Sequence, residues 1–285
     1  MTTIRGARER ARSEVTAAIK DEARRQLAAE GAARLSLRAV ARELGMVSSA
    51  LYRYFPSRDE LLTALIIDAY DAVGSAAEQA LATGDFAAPA DPASSDSAEP
   101  AEPADSAAPA ESVESAAGPH EPVDHVGRWT AVCAAVRAWA LAHPHEYALI
   151  YGSPVPGYSA PQLTVAPASR VALTLISVAQ DAHRAGGITL PALSDELRPE
   201  AERLTARFDF GLPPEVVAAL VASWAELFGL LSFEVFGQFN DLVEARDELF
   251  AQGTRRLAHN VGLPEAGARA TGRAAGTVPG GVAGS

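Results

Sequence analysis

The segment from Ser36 to Leu62, SLRAVARELGMVSSALYRYFPSRDELL, gathers hydroxyl, phenol and guanidinium groups at spacings that place them on one surface. On a helix, Ser48, Ser49, Tyr52 and Arg53 stand at i, i+1, i+4 and i+5 and share a face. Leu51 and Phe55 lie four apart on the other face and would anchor the helix to a core. A polar face of this kind suits nucleic acid. The planar fork of Arg53 fits a guanine edge or a phosphate. The hydroxyls of Tyr52 and Tyr54 can donate to phosphate oxygens, and serines at a helix start suit phosphate or short base contacts. Ser36 and Arg38 open the preceding helix and should face the DNA backbone across the groove, with Ser36 also a plausible N-cap. Arg58 opens the following helix and is placed to hold another phosphate. The candidate DNA-binding set is therefore Ser36, Arg38, Ser48, Ser49, Tyr52, Arg53, Tyr54 and Arg58.

These side chains need short helices to carry them, and the apolar spacing supplies them. Val15, Ile19, Ala23 and Leu27 repeat at four-residue steps and predict a helix from about Arg8 to Glu30, stopped by Gly31. Leu37, Val40, Ala41 and Leu44 predict a second, ended by Gly45. A third covers about Val47 to Tyr54 and is closed by Pro56. Ser57-Arg58-Asp59-Glu60 reads as a capping box that starts a fourth. Two short helices joined by a Gly-containing turn, with a basic helix before them, have the layout of a helix-turn-helix. Further helices are expected at about 124–142, 163–185, 214–237 and 241–259. There is no alternating strand pattern, no helix–strand repetition and no repeat unit, so the fold class is all-α. It comprises an N-terminal three-helix helix-turn-helix domain at 1–60 and a larger helical domain at 61–260. Residues 85–122, rich in Ala, Pro, Ser, Asp and Glu and lacking Lys and Arg, read as a disordered insert, and 261–285 as a disordered tail.

The run Leu44-Gly45 followed by Leu51-Tyr52-Arg53-Tyr54-Phe55 and Ser57-Arg58-Asp59-Glu60-Leu61-Leu62 resembles the N-terminal domain of the TetR family of bacterial regulators, as do Ser36-Leu37, Arg38 and Val40-Ala41 before it. The likeness covers roughly residues 8–70. One departure is Val47, where the family usually places a Ser or Thr cap. A second stretch, His143 to Ser153, is similar to a segment in one actinobacterial branch of the family's C-terminal domains. The resemblance implies a homodimer that binds double-stranded DNA, with an apolar effector pocket in the larger domain. It also implies repression that is relieved when a small molecule shifts the population away from a head spacing that fits DNA. Two recognition helices on one face of the duplex would read a rough palindrome with half-sites ~34–36 Å apart or a multiple of that.

The overall charge of -12 conceals an asymmetry: residues 1–60 hold 12 Lys+Arg against 8 Asp+Glu, so the remainder is strongly acidic. A basic head on an acidic body is expected where one end meets phosphate. One cysteine, Cys133, excludes an intrachain disulfide and suits a reducing cytosol. With no secretory signal and no run of ~18 uninterrupted apolar residues, the expected location is cytoplasmic, without a membrane partner. No catalytic constellation, P-loop or dinucleotide fingerprint occurs, and the His143-Pro144-His145 triplet lacks further metal ligands, so neither an enzyme nor a cofactor is expected.

In the larger domain, Trp129 and Trp139 share a helical face with Val132 and Val136. They either pack a core or wall an effector pocket, for which Tyr147, Tyr151 and Tyr158 would supply polar anchors. Trp224, Phe228, Leu231 and Val235, with Leu249 in the last helix, are candidates for a subunit interface or for an intrachain core. Two alternatives stand beside the ligand-responsive repressor. One is a regulator of the same fold without a small-molecule effector. The other is a helical binding module or enzyme whose head is only structural.

Overall fold

The computed structural model describes residues 2–83 and 123–265, so the expected insert at 85–122 and most of the expected tail lie outside the described residues. The described residues form ten α-helices and no strand. The head comprises α1 (Thr2–Glu30), a 3-10 turn (Ala32–Arg34), α2 (Leu37–Glu43) and α3 (Ser48–Leu51). Helix α4 (Arg58–Thr83) leads into the body. There α5 (His125–Ala142), α6 (Pro144–Tyr151), α7 (Val165–Arg184), α8 (Arg198–Phe208), α9 (Pro214–Val235) and α10 (Arg246–Val261) follow.

Two apolar cores organise these helices. In the head, Ile19, Ala23 and Leu27 of α1 pack with Leu37, Val40 and Ala41 of α2 and with Leu51 and Phe55. Leu61, Leu62 and Leu65 complete that cluster from the first turns of α4. The next turns of the same helix, at Ala69, Val73 and Ala77, belong to the body core instead. The expected boundary at residue 60 therefore falls inside a continuous helix that both units share. The sequence reason is the long apolar stripe of α4, with no Gly or Pro to break it before Gly74.

Helices α6 and α8 were not expected from apolar spacing. Each is short and starts with proline in its first turn (Pro144, Pro199), followed by a glutamate that complements the positive end of the helix. At the other end, α10 begins at Arg246 rather than 241, because Asp241 takes a left-handed φ of 58° and the chain turns there. It also runs further than expected: Val261 closes α10, and Val261 and Leu263 are buried in the body core.

Polar bolts hold head to body. Arg24 of α1 reaches Asp68 of α4 at 2.7 Å and Glu146 of α6 at 2.8 Å, and Lys20 joins Asp68 at 2.7 Å. Burial pulls the Arg24 guanidinium down, but Glu146 and Asp68 outweigh it and leave its pKa above the ordinary value. Beside these pairs, Thr63 and Tyr158 share a hydrogen bond of 2.9 Å across the same seam.

Candidate nucleic-acid interface

A four-residue helix such as α3 is far below the ~12–15 residues needed for marginal stability alone. It exists because it is tied down at both ends. Its buried side is held by Leu51, which is fully buried, and by Phe55. Its entry is fixed by the end of α2, where Gly45 N–H donates to Arg42 O (3.1 Å) and Met46 N–H to Ala41 O (2.8 Å). That is a Schellman closure, and it requires Gly45 to sit at φ 63°. After Leu51 the helix tightens: Arg53 N–H donates to Ala50 O and Tyr54 N–H to Leu51 O, both i to i−3 bonds. The expected helix to Tyr54 is thus one α turn followed by a 3-10-like turn.

The result is a one-sided display. Ser48, Ser49, Tyr52 and Arg53 are all exposed, and so is Arg38 on α2. Ser36 caps α2 by accepting from Ala39 N–H at 3.5 Å, which leaves its own proton to give. Tyr54 is half-buried against the head core, and the guanidinium of Arg12 lies 5.6 Å above its ring. This brings the basic start of α1 beside α3, so Arg12 belongs to the same surface, which the sequence reading did not include. Val47, the departure noted in the sequence, is 69% exposed and occupies the N-cap position of α3 without a side-chain cap bond.

Arg58 does something other than hold phosphate. Its guanidinium donates to the carbonyls of Ala32 (2.8 Å), Leu35 (3.2 Å) and Ala33 (3.3 Å). The carbonyls around a 3-10 turn lack helical partners, and Arg58 supplies them. It is a clasp between the α1–α2 connection and α4, so its donors are engaged within the head.

The comparisons bear on what such a surface is for. Residues 19–65 match the family described as bacterial regulatory proteins, tetR family, and residues 129–257 match the tetracyclin repressor-like C-terminal domain. HTH-type transcriptional regulators of Mycobacterium bovis and Mycobacterium tuberculosis are 38% identical over 259 residues, covering 88% of this chain and 94% of theirs. The chain belongs to the TetR family. It is a DNA-binding helix-turn-helix regulator of transcription and not an enzyme. Among solved structures, the regulatory protein SCO4313 is 30% identical with a TM-score of 0.63, covering 88% of this chain and 98% of that one. A Rhodococcus protein of unknown function shares the fold at 20% identity and a TM-score of 0.57, covering 87% and 95%.

In this regulator's body, the residues expected to wall a pocket are core instead. Trp129, Trp139 and Tyr147 are buried, and neither they nor Tyr151 lines a described cavity. Trp139 stacks on His143, and the Tyr147 hydroxyl bonds Ser232 Oγ at 2.9 Å. Tyr151 packs on Phe228 with ring centroids 4.1 Å apart, and burial pushes its phenol pKa well up. The two readings of this aromatic face were both open in the sequence, and the packing of these side chains is that of a core. The most apolar-walled uncharged cavity among those described, of about 510 Å³, lies among α4, α6, the connection after α6 and α7. It is lined by Ile66, Tyr70, Ile150, Tyr158, Thr164 and Val165 among others, so only Tyr158 of the anticipated anchors reaches it.

The residues expected at a subunit interface or an intrachain core divide between the two kinds of position. Phe228 and Leu231 are buried in the chain's own core, while Trp224 and Val235 are partly buried against it. Leu249 is half-buried. The exposed side of α9 is Val221, Ala222, Ala225, Glu226, Gly229 and Phe233, apolar but for Glu226, with Val221 at 55% and Phe233 at 52% exposure. Cys133 is fully buried, and desolvation raises its thiol pKa, which disfavours the reactive thiolate.

Proposed function

We propose that this regulator is a cytoplasmic repressor that grips a palindromic operator as a homodimer and lets go when a small molecule enters its body. The observation that carries the reading is the exposed face of Ser48, Ser49, Tyr52 and Arg53 on a helix whose other side is sunk in the head core. That face enters the major groove: Ser48, Ser49 and Arg53 meet base edges, while Ser36, Arg38, Tyr52 and Tyr54 hold phosphates.

The second copy docks on α9. An 18-residue window of this helix has a mean hydropathy of 1.9, yet only 33% of it is buried within one chain. An apolar face of that size seeks a cover, and a two-fold partner presents the same face in return. Small residues at 222, 225 and 229 let the two helices approach closely, with Val221 and Phe233 filling the gaps.

The 510 Å³ cavity has the size of a small-molecule site. Helix α6 connects it to the head: Leu149 and Ile150 wall the cavity, and Glu146, one turn earlier, holds Arg24 of α1. An occupant that moves α6 therefore loads the bolt that sets the angle of the head. Gel-shift titration against the DNA upstream of the regulator's own coding sequence tests the reading. Sequence-specific retardation that Arg53→Ala abolishes supports it, and equal retardation of unrelated duplexes refutes it.

A further inference from the structure

The α4–α6–α7 cavity has an unusual hydrogen-bonding character. Its polar side chains are all hydroxyls: Tyr70, Tyr158, Thr164 and Ser169. Three of these have already placed their proton. Tyr70 donates to Ile150 O at 3.3 Å, Thr164 to Pro161 O at 2.8 Å and Ser169 to Ala166 O at 2.9 Å. The fourth, Tyr158, shares one hydrogen bond with Thr63. With Tyr158 as the donor in that pair, what these four oxygens still offer is lone pairs. Backbone donors are few: Pro154 has no N–H, and the amides of Tyr158 and Thr164 are spent on Val155 O and Pro161 O at 3.1 and 3.0 Å, which leaves those of Val155 and Ala160 in the connection after α6. No charged residue lines the wall. The neighbouring cation, Arg170, directs its guanidinium to Asp71, Ser75 and Glu78.

We infer that the effector is an uncharged, largely apolar alcohol or other neutral hydrogen-bond donor. This rests on the reading above that the cavity is the effector site. A carboxylate would find no cation and mainly oxygen lone pairs in exchange for its hydration, and an ammonium would find no carboxylate to pair with. A ketone of the same shape would set acceptor against acceptor. A hydroxyl donates to a waiting phenol or threonine oxygen while its hydrocarbon frame covers Ile66, Leu149, Ile150, Val155 and Val165.

The test uses the full-length dimer without DNA and four probes that share one frame: cyclododecanol, cyclododecanone, cyclododecanecarboxylate and cyclododecylammonium. Decyl alcohol, methyl nonyl ketone and decanoate form a second set, so that a poor ring fit does not decide the outcome. Binding is read by calorimetric titration and by the shift in Tm. The alcohol of at least one set should bind about fivefold to tenfold tighter than its ketone, the gain of one satisfied hydrogen bond, with the charged probes weaker still. Ala168→Trp, which fills the cavity, should abolish that binding while circular dichroism shows the fold retained. Tightest binding by a ketone or a charged probe, lost in Ala168→Trp, overturns the ligand class and leaves the cavity as the effector site. Binding of no probe, or binding unaffected by Ala168→Trp, overturns both.

Discussion

The head and the body of this regulator solve opposite problems. In the head, most of the side chains proposed to face DNA come from one short stretch, joined by Arg12 of α1, and the packing beneath keeps those groups outside. In the body, the cavity collects residues from α4, α6 and α7 that are up to about a hundred positions apart, and the proposed subunit face is whatever the internal core leaves over. The head therefore depends on local closures such as the Schellman turn at Gly45. The body depends on long-range ion pairs that pin one helix to another. Each region should fail in its own way.

The largest effect belongs to the body. Arg137 of α5 donates twice to Glu234 of α9, at 2.6 and 2.7 Å, and also pairs with Asp247 of α10 at 2.7 Å. Glu234 is 9% exposed, so Arg137→Ala strands a buried carboxylate and should cost about 3–5 kcal/mol in denaturant unfolding. The double variant Arg137→Met with Glu234→Leu should recover most of that loss. A single variant as stable as the parent would show that the body is not held in this way.

In the head, Arg53→Ala should weaken operator binding by about 1–3 kcal/mol while the unfolding midpoint stays put. Gly45→Ala should do the reverse: a left-handed residue with a Cβ costs about 1–2 kcal/mol, seen as faster amide exchange in α2 and α3. Arg58→Ala sharpens the contrast within the head. As a clasp, Arg58 should affect stability and leave the salt slope of DNA binding unchanged; a slope reduced by about one would return it to the phosphate contacts.

The smallest effect is a pH dependence at the start of α5. Burial, aided by the Arg128 charge, holds His125 below its ordinary value of 6.5, so the fold favours the neutral ring. That contribution is complete above the unfolded value and is lost as the pH falls through and below it, since the unfolded chain then takes up the proton more readily. Urea midpoints should decline from about pH 7 to about pH 5, and His125→Gln should flatten the decline. An equal decline in the variant would assign the dependence to the carboxylates.

The same contrast explains what could be read from the sequence. The exposed face of Ser48, Ser49, Tyr52 and Arg53 was legible because a short helix obeys its own periodicity and Leu51 and Phe55 mark the inside. The clasp made by Arg58 was not legible, because its partners are backbone carbonyls more than twenty positions away, which no spacing rule reveals. Helix α9 was legible as a helix, but it is apolar nearly all round, so its pattern does not say which side meets the core. The large residues Phe228 and Leu231 went inward, and small ones such as Ala225 and Gly229 stayed outside. The Lys20–Arg24–Asp68–Glu146 seam likewise joins three helices that only the tertiary fold brings together.

The most direct test of the central claim is selection of duplex DNA from a random pool by the full-length protein, repeated with Tyr52→Ala and Arg53→Ala. The account predicts an enriched inverted repeat with half-site centres ~34–36 Å apart or a multiple of that, lost or relaxed in both variants. Enrichment of an asymmetric site, or of the same repeat by proteins lacking those side chains, would contradict it.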